Sequence, residues 1–340
     1  MRGVVFTGDR QAQVCDFADP VPGPGEVVVQ MKASGLCGSD LHFYRQEAEK
    51  RAGSLTISGH EPSGVIAALG AGVTNVKVGD RVSVYHWLGC GRCKLCRAGK
   101  PMLCAERRAH SLSLHGSNAD LMLTDESNCL PLPDELSFAV GAMLACTAGT
   151  AYSSMNKLHP SGEDTVAVFG LGPVGLCGML VAKGMGGHVI GVEPVSERRE
   201  LALDLGADEV IDPGQVQDVC AVVRDLTQGE GADLSFETSG SAAGQNGAVD
   251  CLRVGGKAVF VGFGGSGKTI DPTQIIEREL TLMGSYVNPI YMYWDVIRFI
   301  VAKELPLDKM VTHRFAIEEA PEAFRLFDQG KTGKVILEWD

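Results

Sequence analysis

The chain has 340 residues, of which 45% are apolar and 21% are charged, and its formal net charge at pH 7 is -12. This length exceeds one average domain, so we expect two domains with separate apolar cores and a ligand cleft between them. The acidic balance argues against general nucleic-acid binding, which needs basic surface. No apolar run approaches the roughly 20 residues of a membrane span, so we expect no association with membranes.

The N-terminal sequence predicts no secretion. Its opening stretch, MRGVVFTGDR, lacks the long apolar run and the small-residue cleavage site of a signal peptide. We therefore expect a cytoplasmic protein. Because disulfides are rare in that compartment, clusters among the 11 cysteines are interpreted as metal or redox sites.

The first part of the chain alternates short β-rich runs with turn residues. The runs are Glu26 to Met31, Gly64 to Leu69 and Arg81 to His86, and turn punctuation such as Gly79-Asp80 separates them. This pattern predicts an irregular, mostly β domain.

From Asp164 onward, apolar β-runs alternate with helical stretches. In chain order, we predict the strand Thr165 to Phe169, the helix Val174 to Lys183, the strand His188 to Val192, the helix Glu197 to Leu205, and the strands Leu234 to Glu237 and Ala258 to Val261. Such alternation is typical of a parallel sheet with crossover helices. We place the domain changes near Tyr152 and Tyr286.

A glycine motif, Gly170-Leu-Gly-Pro-Val-Gly175, directly follows the first strand of this alternation and opens its helix. In that context Gly170 permits a tight turn, Gly172 lets the backbone approach a pyrophosphate, and Gly175 lets the helix pack closely on the sheet. The motif therefore predicts dinucleotide binding at the N-terminus of this helix.

Glu193 lies 18 positions after Gly175, at the end of the next predicted strand. A carboxylate there accepts hydrogen bonds from the adenosine ribose hydroxyls and repels the extra phosphate of NADP. Arg198 and Arg199 are close enough in sequence to offset part of that repulsion. The sequence thus favours NAD and leaves NADP open.

Four cysteines with the spacing C-x2-C-x2-C-x7-C fall within one short segment, at Cys90, Cys93, Cys96 and Cys104. Four thiolates from one loop can close a tetrahedral zinc site and leave no open position for chemistry. An iron–sulfur cluster is the alternative, because three of the ligands share its spacing, but the gap to the fourth cysteine differs from the common bacterial pattern. We predict a structural zinc here.

Cys37, in Cys-Gly-Ser-Asp, and His60, in Gly-His-Glu, are isolated, and spacing alone assigns neither of them to a metal or to the core. With the four-cysteine segment and the glycine motif, these stretches occur in the order and approximate separations of the zinc-containing medium-chain dehydrogenase/reductase family, the alcohol and polyol dehydrogenases. The chain resembles this family over essentially its whole length.

The resemblance implies a catalytic zinc held by Cys37, His60 and Cys146, the last within Leu-Ala-Cys-Thr-Ala-Gly-Thr. Three protein ligands leave a fourth position open for an alcohol oxygen. Polyol dehydrogenases often carry Glu at the third position, so Cys146 makes the chain more similar to the simple alcohol dehydrogenases. In the family, the glutamate at the position of Glu61 lies behind the metal and can exchange with the other ligands, so we include Glu61 in this metal group. Its expected role is that of a nearby carboxylate that is not permanently bound to the metal.

Further roles follow from the same resemblance. Asp40 would orient the metal-bound imidazole, and Ser39 and His42 would relay the substrate's proton together with the cofactor ribose. The residues assigned to the dinucleotide are Thr150, Gly170, Gly172, Pro173, Val174, Gly175, Glu193, Arg198 and Gly262. The side chains expected around the substrate are Tyr85, His86, Trp87, Asn118, Tyr291 and Trp294. Since a bulky aromatic is common near Asn118, we hypothesise that its amide admits a hydroxylated substrate.

The resemblance also implies an α/β fold with a GroES-like, mostly β catalytic domain and a Rossmann domain with a doubly wound parallel sheet. The expected ranges are 1–152 for the first part of the catalytic domain, 153–285 for the NAD-binding domain, and 286–340 for the return to the catalytic domain. Relatives form oligomers, and we expect a homo-oligomer, a tetramer rather than a dimer, with the β-run at Leu280 to Met283 as a candidate interface.

We therefore predict an enzyme with two zinc ions per chain that transfers hydride reversibly between a primary or secondary alcohol and NAD. Two alternatives share the fold: a polyol or sugar-alcohol dehydrogenase, and an NADPH-dependent aldehyde or ketone reductase. An alternative of another class is a non-catalytic, zinc-carrying dinucleotide-binding protein.

Overall fold

The computed structural model describes residues 1–51, 53, 56–264 and 270–340. Its N-terminal part is mostly β, as the alternating pattern predicts. The strands are β1 (Arg2–Gly8), β2 (Gln11–Asp16), β3 (Glu26–Gly35), β4 (Pro62–Leu69), β5 (Arg81–Val84), β6 (Trp87–Leu88), β7 (Arg108–Ala109), β8 (Leu121–Asp125) and β9 (Cys129–Pro131). The helices are α1 (Asp40–Tyr44), α2 (Ala48–Arg51), α3 (Lys94–Arg97), α4 (Phe138–Met143), a π-helix (Leu144–Ala148) and α5 (Gly149–Leu158).

The next part of the chain forms a parallel sheet with crossover helices. Its strands are β10 (Thr165–Phe169), β11 (His188–Val192), β12 (Glu209–Ile211), β13 (Ala232–Glu237), β14 (Leu252–Phe260) and β15 (Thr281–Gly284). Its helices are α6 (Pro173–Met185), α7 (Ser196–Asp204), α8 (Val219–Leu226), α9 (Ala242–Asp250) and α10 (Pro272–Glu277). The predicted bounds of β10 and β11 are confirmed to the residue, because both are short apolar runs buried on both faces of the sheet.

The strand order of this sheet is β12-β11-β10-β13-β14-β15, and every neighbouring pair is parallel. This is the order of a doubly wound dinucleotide-binding sheet, and the predicted fold class is therefore confirmed. In such sheets the ligand cleft lies at the carboxyl ends of the strands where the order reverses, which here is between β10 and β13.

The C-terminal part returns to the β sheet of the first part. It contains α11 (Tyr293–Ala302), β16 (Val311–Phe315), α12 (Ala320–Asp328) and β17 (Lys334–Glu338). Short 3-10 turns lie at Pro101–Leu103, Glu126–Asn128, Ile290–Met292, Leu307–Met310 and Ile317–Glu319. The sheet order is β16-β17-β3-β4-β5-β9, with β8 also on β3, and β17 pairs antiparallel with β3 so that Ile336 lies opposite Gly35. The start of β17 is thereby fixed beside the end of β3.

The largest apolar core joins the parallel sheet to the helices that precede it. Val168 and Phe236 of the sheet belong to the same buried cluster as Val140 of α4 and Leu144 of the π-helix. The β sheet of the first part has its own core around residues such as Val29. Within the described residues, no helix combines the length and the apolar character needed to cross a membrane.

Candidate active site

Four side chains that can bind a metal converge where the end of β3, the segment before β4 and the π-helix meet. One ligand atom from each of Cys37, His60, Glu61 and Cys146 lies within 4.8 Å of the others. His60 and Cys146 are each 8% exposed, and Glu61 is fully buried. Two thiols and an imidazole are donor types that zinc prefers, so the chemistry of this set fits that metal.

Asp40, in the first turn of α1, fixes the orientation of His60. Its Oδ1 lies 3.0 Å from His60 Nδ1, and its Oδ2 accepts a hydrogen bond from the Cys37 N–H at 2.9 Å. Burial lowers the pKa of His60, but the carboxylate of Asp40 and the thiolate of Cys37 raise that pKa well above its usual value. Asp40 therefore leaves His60 Nε2 as the ring nitrogen available to a metal.

The pKa values of Cys37 and Cys146 are shifted in opposite directions. A hydrogen bond from Cys146, together with the charge of His60, lowers the pKa of Cys37 well below its usual value. The same hydrogen bond, together with burial, raises the pKa of Cys146. Because cysteines bind metals as thiolates, a metal held by this pair would require Cys146 to lose its proton as well.

The π-helix Leu144–Ala148 positions Cys146. A Cβ at Gly149, which follows it, would come within 2.6 Å of the Leu144 carbonyl oxygen and 2.3 Å of the Asn288 amide oxygen. A wide turn of this kind inside a helix is frequent at functional sites. The close approach of these two oxygens explains the glycine at position 149.

Lys334, the first residue of β17, reaches the same cluster from the C-terminal part of the chain. Its Nζ lies 2.5 Å from Glu61 Oε2 and donates to the Leu36 carbonyl at 2.9 Å and to Thr147 Oγ1 at 3.1 Å. Burial lowers the pKa of Lys334, but the charges of Glu61 and Cys37 raise it more, so the side chain stays an ammonium. The sequence reasoning missed Lys334 and Thr147, because no local motif marks either residue.

Ser39 and His42 are both exposed, and Ser39 contacts the cluster. Ser39 Oγ is 3.4 Å from Cys37 Sγ and 3.3 Å from His60 Nε2. The His42 ring packs edge-on against Phe43, with 5.2 Å between ring centroids. Within the described part of the chain, no hydrogen bond joins the side chains of Ser39 and His42, so a proton relay between them needs a group bound in between.

The four cysteines of the predicted structural zinc site also converge. One sulfur atom from each of Cys90, Cys93, Cys96 and Cys104 lies within 4.8 Å of the others. The Cys96 N–H donates to Cys93 Sγ at 3.4 Å, and the backbone N–H groups of Arg92 and Cys93 lower the pKa of Cys90 to about 6. These backbone donors favour thiolates, so the loop fits a closed tetrahedral zinc site.

The surroundings of the three glycines in the turn between β10 and α6 match the roles predicted for them. Gly170 has a φ of +89°, and a Cβ there would lie 2.9 Å from the Ser239 nitrogen. A Cβ at Gly175 would lie 1.9 Å from the Gly170 carbonyl oxygen, so only glycine fits. A Cβ at Gly172 would instead meet no atom closer than Arg198 Nη1, at 3.8 Å, which is ordinary van der Waals contact. That space at a helix N-terminus fits a pyrophosphate.

Glu193 follows β11 and is 3% exposed. Its Oε2 accepts a hydrogen bond from the Leu171 N–H at 2.7 Å, and its Oε1 accepts one from the Val195 N–H at 3.0 Å. Arg198 Nη1 lies 3.9 Å from Glu193 Oε2, while Arg198 Nε donates to the Thr332 carbonyl at 3.1 Å. The carboxylate and the guanidinium therefore flank the glycine turn, and each carboxylate oxygen keeps a second lone pair for a ribose hydroxyl.

The remaining residues assigned to the dinucleotide lie on the elements around this turn. Pro173 and Val174 are the first two residues of α6, and Thr150, 5% exposed, lies in the first turn of α5. Gly262 follows β14, and a Cβ there would lie 2.2 Å from the Gly240 nitrogen. The close approach of these two loops explains a glycine at position 262 without a ligand.

Among the predicted substrate-lining residues, His86 lies next to the metal cluster. The centroid of its ring is 5.1 Å from that of His60, and the Trp87 ring lies on its other side at 5.6 Å. Burial lowers the pKa of His86 well below its usual value. The neighbouring Tyr85 is fully buried, and its hydroxyl donates to the Asn288 carbonyl at 2.7 Å. His86 is therefore a neutral imidazole beside the site.

Asn118 does not line a cleft, and the hypothesis that it admits a hydroxylated substrate is wrong. The residue is fully buried, its Oδ1 accepts a hydrogen bond from Ser34 Oγ at 2.7 Å, and its Nδ2 donates to Ser58 Oγ at 2.9 Å. Both ends of the amide are thus used inside the β part.

Tyr291 and Trp294 are 57% and 50% exposed, and the Tyr291 ring packs against Gly99 of the cysteine loop.

Comparison with known proteins places the chain in a family. Residues 23–134 match the family model "Alcohol dehydrogenase GroES-like domain", and residues 173–302 match "Zinc-binding dehydrogenase". A zinc-type alcohol dehydrogenase-like protein of Escherichia coli (strain K12), YphC, is 35% identical over 99% of this chain and 98% of that protein. L-threonine 3-dehydrogenase of Stenotrophomonas maltophilia (strain K279a) is 34% identical over 94% of each chain.

Among solved structures, the alcohol dehydrogenase TADH from Thermus sp. ATN1 superimposes with a TM-score of 0.91 at 30% identity and covers 99% of both chains. The similarity therefore extends over the β part, the parallel sheet and the C-terminal return. Members of this family are oxidoreductases that use zinc and a nicotinamide cofactor and act on small molecules. This chain belongs to the zinc-containing medium-chain dehydrogenase/reductase family, with a GroES-like domain and a Rossmann domain.

Proposed function

We propose that this chain is a zinc-dependent, NAD-linked alcohol dehydrogenase that oxidises a primary or secondary alcohol reversibly to an aldehyde or ketone. The observation that carries the proposal is the convergence of Cys37, His60 and Cys146, with the exposed Ser39 in contact with the first two. Zinc bound there supplies Lewis acidity, which lowers the pKa of an alcohol hydroxyl enough for it to lose its proton near neutral pH.

The side chains around the ligands divide the work of holding and moving protons. Asp40 accepts from His60 Nδ1 and so keeps Nε2 directed at the ligand cluster. Ser39 Oγ, next to Cys37 and His60, is the first acceptor for the proton of the substrate hydroxyl. His42 is exposed and is suited to pass that proton to solvent, and the ribose of a bound cofactor would supply the hydroxyl groups needed to connect the two side chains.

We propose NAD as the preferred cofactor. The Glu193 carboxylate is held by two backbone N–H groups beside the glycine turn, where it accepts from ribose hydroxyls and repels a phosphate on the ribose. Arg198 lies within 3.9 Å of that carboxylate and reduces the repulsion, but it is also bonded to the Thr332 carbonyl. We therefore propose that the residues assigned to the dinucleotide in the sequence analysis bind NAD.

We also propose that the protein is a homo-oligomer, a tetramer rather than a dimer, and that it works in the cytoplasm. Within the described residues, β15 is one of the two outer strands of the parallel sheet, with β12 at the opposite edge, and it pairs only with β14. An outer strand presents free backbone groups to which a second copy can add. Light scattering in solution tests the proposed oligomeric state, and a monomer at micromolar concentration would contradict it.

The test of the proposed activity combines metal analysis with kinetics. We expect two zinc ions per chain by elemental analysis, and either a single zinc or iron would mean that a ligand set is misassigned. Cys146→Ala should lose one zinc and the activity, whereas Cys251→Ala, which changes a buried cysteine of the Rossmann domain, should keep both. Rates with NAD and NADP, measured on primary, secondary and polyhydroxy alcohols and on L-threonine, identify the substrate class.

The same measurements separate the alternatives. Carbonyl reduction that is faster with NADPH than with NADH would favour a reductase. Oxidation confined to polyhydroxy alcohols would favour a polyol dehydrogenase. Two bound zinc ions and tight NAD binding without turnover of any alcohol would favour a dinucleotide-binding protein without catalytic activity.

A further inference from the structure

One buried lysine contacts all three segments that carry the proposed zinc ligands. The Lys334 ammonium has three N–H donors, and each one has a partner. The partners are the Leu36 carbonyl at 2.9 Å, Glu61 Oε2 at 2.5 Å and Thr147 Oγ1 at 3.1 Å. Each partner is the immediate neighbour in sequence of one proposed ligand, so the lysine ties together segments that are far apart in the chain.

The same contacts occupy both oxygens of Glu61. Lys334 holds Oε2, and the Thr147 hydroxyl donates to Oε1 at 2.9 Å. Glu61 and Lys334 are fully buried, so water does not compete for these bonds. One Glu61 oxygen nevertheless lies within 4.8 Å of the three ligand atoms, which is close enough to join them after a small movement. A fourth protein ligand would close the position that an alcohol needs.

We propose that Lys334 is a positioning residue that assembles the three ligand-bearing segments and keeps the Glu61 carboxylate away from the metal, so that the fourth position stays open. The inference rests on the proposed function, because it requires a metal at Cys37, His60 and Cys146. Thr147 completes the arrangement, since its hydroxyl receives the lysine and donates to the carboxylate. Gly35 leaves room for the lysine, because a Cβ there would lie 2.8 Å from Lys334 Cε.

The test uses the holoenzyme with Co²⁺ exchanged into the catalytic position, and it follows the visible absorption spectrum while imidazole is added. In the unchanged protein, imidazole should occupy the open position and shift the spectrum. In Lys334→Met, the released Glu61 should take that position, and the apparent imidazole Kd should rise by about 10-fold or more. The double variant Lys334→Met/Glu61→Gln should recover the response of the unchanged protein, because a neutral amide is a poor ligand.

A matched control and a second variant complete the design. Lys183→Met removes another lysine ion pair, the 2.7 Å contact with Asp208 in the Rossmann domain, and should leave the imidazole response unchanged. If Lys334→Met does not fold, Thr147→Val decides, because it removes one hydroxyl without leaving a buried charge unpaired. Thr147→Val should raise the apparent imidazole Kd about threefold, because Glu61 loses one of its two contacts. Adding Glu61→Gln to this variant should restore the Kd of the unchanged protein.

An unchanged imidazole response in the deciding variant would overturn the inference, and so would a weakened response that Glu61→Gln does not restore. These outcomes are distinct from failure of the proposed function. If the unchanged protein binds no metal at Cys37, His60 and Cys146, the proposed activity fails before Lys334 is tested.

Discussion

A methyl group at Gly172 should impair cofactor binding without affecting folding. Gly172 has φ -67° and ψ -178°, which is extended backbone that alanine adopts freely. Its added Cβ would have Arg198 Nη1 as its nearest neighbour, at 3.8 Å, which is ordinary van der Waals contact. Gly172→Ala should therefore change the free energy of unfolding of the protein without cofactor by no more than about 0.5 kcal/mol.

The effect on NAD follows from the space that the methyl group occupies. The gap between the glycine turn and the Arg198 guanidinium is where the proposal places the pyrophosphate, and the methyl group would fill part of it. A hydrogen bond to a charged group contributes about 1.5 to 3 kcal/mol. Loss of one such bond, to the turn or to Arg198, would raise the Kd for NAD about 10- to 160-fold.

Isothermal titration calorimetry with NAD and thermal unfolding without it measure the two quantities separately. Gly175→Ala is the contrasting variant, because its Cβ would lie 1.9 Å from the Gly170 carbonyl oxygen and α6 would have to move, which should lower the unfolding temperature as well as the affinity. Gly162→Ala is the neutral control, since its nearest neighbour would be 4.0 Å away. An NAD Kd for Gly172→Ala within about twofold of the unchanged protein would refute the placement of the pyrophosphate.

Three further predictions concern other parts of the molecule. Glu193→Ala should lower the preference for NAD over NADP in kcat/KM by about 10-fold or more, because it removes the charge that repels the ribose phosphate; an unchanged preference would contradict this role. Cys96→Ser should leave one zinc per chain by elemental analysis and lower the unfolding temperature, because a structural zinc site contributes to folding. Burial lowers the pKa of His110 from 6.5 to about 4, so its contribution to stability is present above pH 6.5 and is lost as the pH falls through about 4. Denaturant titrations should show that the loss of stability between pH 7 and pH 4 is smaller in His110→Gln than in the unchanged protein, by roughly 3 kcal/mol.

Features encoded within a short stretch of sequence were predictable. β10 and β11 were predicted to the residue, because strands buried on both faces are short apolar runs bounded by polar residues. The four cysteines of the structural zinc site lie within one loop, so their spacing alone indicated that they converge. In each case the physical cause is local and leaves a pattern in consecutive residues.

Features that depend on contacts between distant segments were not predictable in the same way. Only the family resemblance predicts Cys146 as a ligand, because the π-helix that carries it brings it beside Cys37 and His60, which lie far away in the sequence. The family resemblance predicts Asn118 beside the substrate, whereas its hydrogen bonds to Ser34 and Ser58 use its amide inside the β part. No residue pattern in the sequence reports such pairings, which exist only once the sheet has formed.

The two metal clusters therefore differ in how they depend on the fold. The cysteine loop needs only the closure of a short segment, for which the entropic cost is small, so zinc can bind there early in folding. The cluster of Cys37, His60 and Cys146 also needs β17 paired with β3, because that pairing delivers Lys334 to the partners beside each ligand. Lys334 lies 273 positions after Glu61 in the sequence, so the buried pair joins two segments that are far apart in the chain. The proposed open catalytic position thus depends on contacts between distant segments of the fold, while the proposed closed zinc site depends on one loop.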